Sequence, residues 1–217
     1  MNTLARRLIL AASLLPVFAT STASAQALVP PEARQGFYIG SGPRLGITTA
    51  DNVDFGNLGT LTHFGFDLRL GQKMLPWLAL GVVITGGSEA NEDWALGYGG
   101  LQIEGQIEPF ADLDLALRLG TGAAGGGMSA VGGQTLRDDD AQYMFGPLFS
   151  AGLSYDWFPF HDPKSYRSGG FALTFLLEGR YLPGGDITTG GGFLGVELTY
   201  WFGLDKNKLE LPVEEAF

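Results

Sequence analysis

The chain has 217 residues, with 23 acidic against 13 basic side chains, 34 glycines and no cysteine. An acidic balance without basic clusters argues against nucleic acid, whose phosphates need Lys and Arg. The lack of cysteine excludes disulfides and thiolate metal sites, and the glycines, too many for ordinary helices and without the period of collagen, suit a sheet closed tightly on itself.

Residues 1–25 read as a secretory signal peptide. Arg6 and Arg7 form a positive start, Leu8 to Phe18 an apolar stretch, and Ala23-Ser24-Ala25 a small-residue cleavage site before Gln26. The apolar stretch is too short for a spanning helix and Pro16 interrupts it. Its removal takes away two arginines and no acids, moving the formal charge from −10 to −12. Residues 26–35 follow as a short Pro-containing periplasmic linker.

From Gly36 onward the chain alternates between apolar and small or polar residues, the period of a strand. Eight strands are expected, near residues 36–48, 61–72, 77–86, 96–109, 113–123, 143–157, 170–182 and 191–202. The cleanest sets Leu113, Leu115, Leu117 and Leu119 against Asp114, Ala116, Arg118 and Gly120. The segment before it sets Leu101, Ile103 and Ile107 against Gln102, Glu104, Gln106 and Glu108, and Pro109 to Asp112 makes the pair a hairpin. The first and sixth strands carry Pro43 and Pro147, which cannot donate to a ladder, so a bulge or local opening is expected at each.

The connections expected after the first, third and fifth strands (Thr49 to Thr60, Gly86 to Ala95, Ala123 to Gln142) are long, Gly-rich and acidic. Those after the second and fourth are short, the rhythm of an outer-membrane barrel with both chain ends in the periplasm. Phe160 to Ser168 is longer than that rule prefers, and Pro183 to Thr189 shorter.

A soluble barrel turns its apolar face inward and covers the other with many Lys and Glu. Here the non-apolar face is mostly Gly, Ala, Ser and Thr, and the four lysines fall in expected turns and the tail. The other face is continuous Leu, Ile, Val and Phe, with Trp77, Tyr155, Trp157, Tyr181 and Tyr200 near strand ends. That favours a lipid-facing band with aromatic girdles over a soluble periplasmic barrel. The longest apolar run after the signal, near Leu75 to Thr85, is too short for a spanning helix. The expected fold is all-β: a closed antiparallel up-and-down transmembrane β-barrel of about eight strands over residues 36–202, in the cell outer membrane, with a periplasmic tail at 203–217.

In this architecture, and in the closing strand that ends Tyr200-Trp201-Phe202, the chain resembles the OmpA/OmpX-type family of small outer-membrane barrels. The resemblance covers Gly36 to Phe202. It implies recognition of a terminal aromatic residue by the barrel-assembly machinery, with Phe202 and Phe217 both candidates. It implies outer-membrane lipid and lipopolysaccharide as surroundings. The tail is too short for the peptidoglycan-binding domain of some relatives.

Parity turns Arg44, Asp67, Arg69, Glu104, Glu108, Asp114, Arg118, Glu178, Arg180 and Glu197 into the lumen. All four cations are Arg, whose planar fork can bind two carboxylates and stays charged when partly desolvated. Side chains nearly fill an eight-stranded barrel, so these groups are expected to form a plug of paired charges rather than an ion path. Acids outnumber arginines, so some carboxylates must share a partner or bond water. A hairpin centred on Ala111 pairs Glu104 with Arg118 and puts Glu108 opposite Asp114; a two-residue shift would instead pair Arg118 with Gln106.

Other chemistry is weakly signalled. His63 and His161 fall at opposite ends, and His161 to Ser165 has the wrong spacing for a lipid-modifying triad. The external loops are expected to hold Asp51, Asp54, Glu89, Glu92, Asp93, Asp138, Asp139, Asp140 and Asp186, without the spaced ligands of a calcium loop. Gly122 to Gly133 lacks a phosphate-loop Lys. No cofactor, metal or enzymatic activity is expected. The function read from the sequence is a structural or interaction barrel presenting loops to partners. The alternatives are a small-solute pore and a lipid-modifying enzyme.

Overall fold

The alternating segments pair antiparallel in chain order, and the last pairs with the first. They are β1 (Phe37–Asn52), β2 (Gly56–Leu75), β3 (Leu78–Ala90), β4 (Trp94–Phe110), β5 (Leu115–Ala130), β6 (Tyr143–Trp157), β7 (Gly170–Pro183) and β8 (Ile187–Trp201). The computed structural model describes residues 34–110, 114–132, 136, 142–160 and 169–203. The expected signal peptide, the cleavage site, Leu113, Asp138 to Asp140, His161 and the tail beyond Gly203 lie outside the described residues.

The registers fix the size of the barrel. A path of paired residues runs Leu153, Leu177, Leu194, Leu45, Phe64, Ser88, Gly97, Gly127 and returns to β6 at Tyr143, ten residues from its start. Eight strands with that stagger tilt by about 40°. Each residue then climbs the barrel axis by roughly 2.5 Å.

Leu45, Phe64, Ile84, Leu101, Leu119, Leu153, Leu177 and Leu194 point outward and are exposed. The charged residues that alternate with them are buried inside. Between Phe37 and Ile47 on β1 the outward apolar band is about 25 Å tall, the hydrocarbon height a membrane barrel must cover. Rings crowd its lower edge: Phe37 lies 5.5 Å from Phe202, and Tyr200 packs against both Phe171 and Phe202 at 4.7 and 4.9 Å.

Most strands run past the expected ends, chiefly away from the termini. The expected loops Thr49 to Thr60 and Gly86 to Ala95 shrink to residues 53–55 and 91–93, and β5 continues to Ala130. The cause is an inversion of the alternation. Above Ile47, Phe64 and Leu101 the outward residues become Thr49, Thr60, Ser88, Gly97, Gly125 and Gly127. The inward ones become apolar: Ala50, Leu61, Trp94, Leu96, Met128, Met144 and Ile187 pack as one cluster. Leu58 joins it through a bulge at Gly59, whose φ of 81° suits glycine. The lower barrel is built inside out for lipid, and the upper one right side out for water.

The prolines mark interrupted seams. Phe202 N donates to the Phe37 carbonyl, so the odd residues of β1 face β8. The β1–β8 ladder skips Gly42 and Pro43, while the β1–β2 ladder runs through them. On the lipid side of that gap lies an apolar groove of ≈ 860 Å³ bordered by Pro43, Ile47, Phe64, Leu177 and Leu194. The β6–β7 ladder stops at Phe149–Tyr181, two residues short of Pro147. Both expected irregularities are therefore local openings rather than bulges.

Candidate functional site

Inward parity and closure bring every sequence-predicted lumen residue of the core set together. Arg44, Asp67, Arg69, Glu104, Arg118, Glu178, Arg180 and Glu197 are all buried within one connected network. Arg69 is its hub. Its Nε donates to Glu104 Oε2 at 3.2 Å and its Nη2 to Glu178 Oε2 at 3.1 Å. Asp67 Oδ2 lies 3.0 Å from Nη2, and Glu197 pairs with Nη1. Asp67 is the counterpart hub, taking Arg44 and Arg180 (2.6 Å) on the same oxygen. Arg180 also pairs with Glu178, and Thr85 accepts from both Arg44 and Arg180. Four arginines thus share four acids, and of the two further acids expected inside, Glu108 pairs with Lys73 while Asp114 lies in a turn.

Arg118 donates to Ser154 Oγ at 2.8 Å and to Glu104 Oε1 at 3.4 Å. Glu104 and Arg118 do meet, but the simple register was wrong. Arg118 stands opposite Gln106 and Glu104 opposite Gly120, the two-residue alternative, so the contact is diagonal. The ladder skips from Ile107–Leu117 to Phe110–Leu115 because Pro109 between them has no donor. The same shift removes the like-charge pair: Asp114 leaves the lumen wall for a turn with φ 51°, and Glu108 turns inward alone.

At the mouth beside the termini the sequence reading missed a buried charge. Arg34, expected in the linker, is buried in the barrel. Its Nε lies 2.8 Å from Asp156 Oδ2 and its Nη1 3.9 Å from Glu108 Oε1, and Nη2 donates to the Asp114 carbonyl. Lys73, expected in a turn, is the last inward residue of β2 and pairs with Glu108. Above them Tyr38 packs on Trp201 with ring centres 4.6 Å apart and accepts from Gln106 Nε2 at 2.7 Å. A Cβ at Gly71 or Gly81 would come within 2.5 or 2.7 Å of Tyr38, so small residues make room for the ring. Lys73, Asp156 and Glu89 all continue the inward parity of their strands and were legible; Arg34 follows no period.

Toward the other end, His63 is fully buried rather than at the outer rim, its Nδ1 3.5 Å from Glu89 Oε1 and its ring edge-on to Phe193 at 4.7 Å. Glu89, expected in an external loop, accepts from Thr189 Oγ1 at 2.9 Å inside the wall. Phe193 carries Arg44 at 5.4 Å and Arg180 at 6.0 Å over its ring, at the junction between the charged layers and the apolar cluster.

A closed eight-stranded barrel with a lipid-height apolar band, an aromatic edge and a charged interior defines a transmembrane β-barrel with the architecture of the OmpA/OmpX-like type. Among solved structures the chain is similar to Ail, the attachment invasion locus protein of Yersinia pestis, at 16% identity and a TM-score of 0.50, covering 76% of this chain and 99% of that one. Neisserial surface protein A matches at 16% identity with a TM-score of 0.47, over 77% and 98% of the two chains. The N-terminal barrel of Pseudomonas aeruginosa OprF matches at 14% with a TM-score of 0.43, over 76% and 98%. At such identities the likeness to Ail carries the fold alone. No protein-family model and no curated protein matches the sequence.

Proposed function

We propose that this protein is a non-enzymatic outer-membrane barrel with a plugged lumen, whose role is structural or interactive and is exercised by the wall and turns that stand above the lipid. The observation that carries it is the layered interior. Among the described residues Arg34, Arg44, Arg69, Lys73, Arg118 and Arg180 face Asp67, Glu89, Glu104, Glu108, Asp156, Glu178 and Glu197, all of them buried except the half-buried Lys73, beneath an apolar cluster. Nearly balanced, mutually bonded charges leave little room for hydrated ions, and an apolar layer above them resists wetting. His63, the histidine within the described residues, is sealed behind the wall, which speaks against a lipid-modifying site there.

The sequence supports export by cleavage after Ala25. The closing aromatic strand supports delivery to the barrel-assembly machinery and residence beside lipopolysaccharide. Recording in planar bilayers tests the plug: the folded full chain gives no regular conductance steps at neutral pH. Large, uniform steps would overturn the reading in favour of a small-solute pore.

A further inference from the structure

We infer that the lipid-facing wall at the β1–β8 seam binds an elongated apolar molecule that carries a mid-chain hydroxyl. Phe202 N donates to the Phe37 carbonyl, so odd residues of β1 and even residues of β8 turn their backbone polar groups toward each other. The register is constant from Tyr38–Trp201 to Asn52–Ile187 and sets Pro43 against Val196. Pro43 has no N–H, so the Val196 carbonyl meets no ladder donor. Pro43 lies roughly 10 Å below Ile47 and roughly 15 Å above Phe37, in the middle of the apolar band. Water does not reach that depth, and an acceptor left unpaired in hydrocarbon is costly. The wall itself is not breached. The β1–β2 ladder runs through Gly42 and Pro43, and inward-facing Gly42 covers the Val196 oxygen on the lumen side, where a Cβ would run into it. The free acceptor is therefore offered to the lipid side alone.

A second polar group stands beside it. Ser41 and Pro43 are successive outward residues of β1, roughly 7 Å apart, facing Leu198 and Val196 across the seam. Ser41 is half-buried, and its hydroxyl makes no hydrogen bond among the described residues. A hydroxyl between the two groups serves both. It donates its proton to the Val196 carbonyl and accepts one from Ser41 Oγ.

The shape of the wall selects the rest of the ligand. The groove of ≈ 860 Å³ beside Pro43 is bordered by Val196, and Gly192 faces outward in it with open space where a Cβ would stand. A second groove of ≈ 410 Å³ shares Leu177, Leu194 and Val196 with the first and continues to Leu115 and Tyr155, toward the terminus end. Together they cross most of the apolar band, and Val196 stands where they meet. A long apolar chain with its hydroxyl part-way along matches that arrangement. A hydroxyl close to a lipid headgroup would stay at the edge of the band, out of reach of Ser41 and Val196. The same chemistry comes either as a free hydroxy fatty acid or as a hydroxylated acyl chain of a membrane lipid.

The test uses the full chain folded in detergent micelles, with stearic acid hydroxylated at mid-chain as probe and plain stearic acid as control. Native mass spectrometry should show the hydroxylated acid retained with about tenfold higher affinity, the worth of one or two hydrogen bonds. Ser41→Ala should lower that preference severalfold. Pro43→Ala restores the missing N–H, completes the ladder and should abolish the preference. Gly192→Leu fills the groove and should weaken both acids alike. Heat-modifiable mobility reports that each variant still folds. Equal retention of the two acids by the parent means ordinary lipid contact and would overturn the proposal. So would an undiminished preference in folded Pro43→Ala, or undiminished retention in folded Gly192→Leu. A phospholipid bearing the same hydroxylated chain separates the two sources. Its enrichment over the plain phospholipid supports the site with a membrane lipid as occupant, and capture of the free acid alone supports it with a diffusing one. Conductance reports on the lumen only, so the plug and this site fail separately.

Discussion

At the scale of a residue, Arg69 matters most. It faces Glu104, Glu178, Asp67 and Glu197 in a space without water access, and each of these acids was brought inside on the condition of a cation. Replacing a buried ion network with apolar groups can be neutral, but removing one partner strands the others. Arg69→Met should therefore destabilise the barrel by about 3–5 kcal/mol. Urea titration of the folded fraction, followed by heat-modifiable mobility, checks it; a variant within error of the parent would show that Arg44, Arg118 and Arg180 suffice. Which strand charges share the lumen was legible from parity, because a strand side chain has only two directions to point; Asp114, which leaves its strand for a turn, is the exception. Which charges touch was less so. One donorless residue, Pro109, shifted the hairpin by two and left Glu104 diagonal to Arg118. Arg34 had no signal at all, since its place is set by tertiary pairing with Asp156 and not by a repeat.

At the scale of an element, the eight strands and their outward face were readable, but not their upper thirds. The reading followed a single phase, apolar outward, and stopped where that phase stopped. Past Ile47 or Leu101 the solvent changes from lipid to water, the phase reverses, and Gly97, Gly125 and Gly127 on the outer side look like loop. The reversal thus locates the bilayer surface on β1 to β5, at Thr49, Thr60, Ser88, Gly97 and Gly127. The cysteine-free chain allows a clean check. Single cysteines at Thr49, Ser88 and Ser129 should react rapidly with a membrane-impermeant maleimide in nanodiscs. Those at Leu45, Leu101 and Leu194 should not. Equal labelling of the two sets would remove the boundary, and with it the distinction between a lipid storey and a water storey.

At the scale of the whole molecule, the proposed plug is a series of barriers rather than one gate. From the terminus end these are the Arg34–Asp156 and Lys73–Glu108 pairs, the Tyr38–Trp201 ring contact, the network around Arg69 and Asp67, the Phe193 layer, and the apolar cluster around Leu61, Leu96 and Met144. Barriers in series add, so an ion that passes one still meets the rest. Arg34→Ala should open only the lowest mouth. Asp156 would keep its bond from Thr174 Oγ1 at 2.7 Å but lose its cation, and Glu108 would keep Lys73. A loss of about 1–3 kcal/mol is expected from a buried acceptor left short of a partner, seen as a lower urea midpoint. In planar bilayers the same variant should stay as silent as the parent, since the Arg69 network and the apolar cluster are untouched. Uniform conductance steps from Arg34→Ala alone would mean that the N-terminal arginine is the sole barrier and the layers above it already form a path. Silence with a lowered midpoint would place that arginine among the supports of the fold, one layer of several that close the lumen.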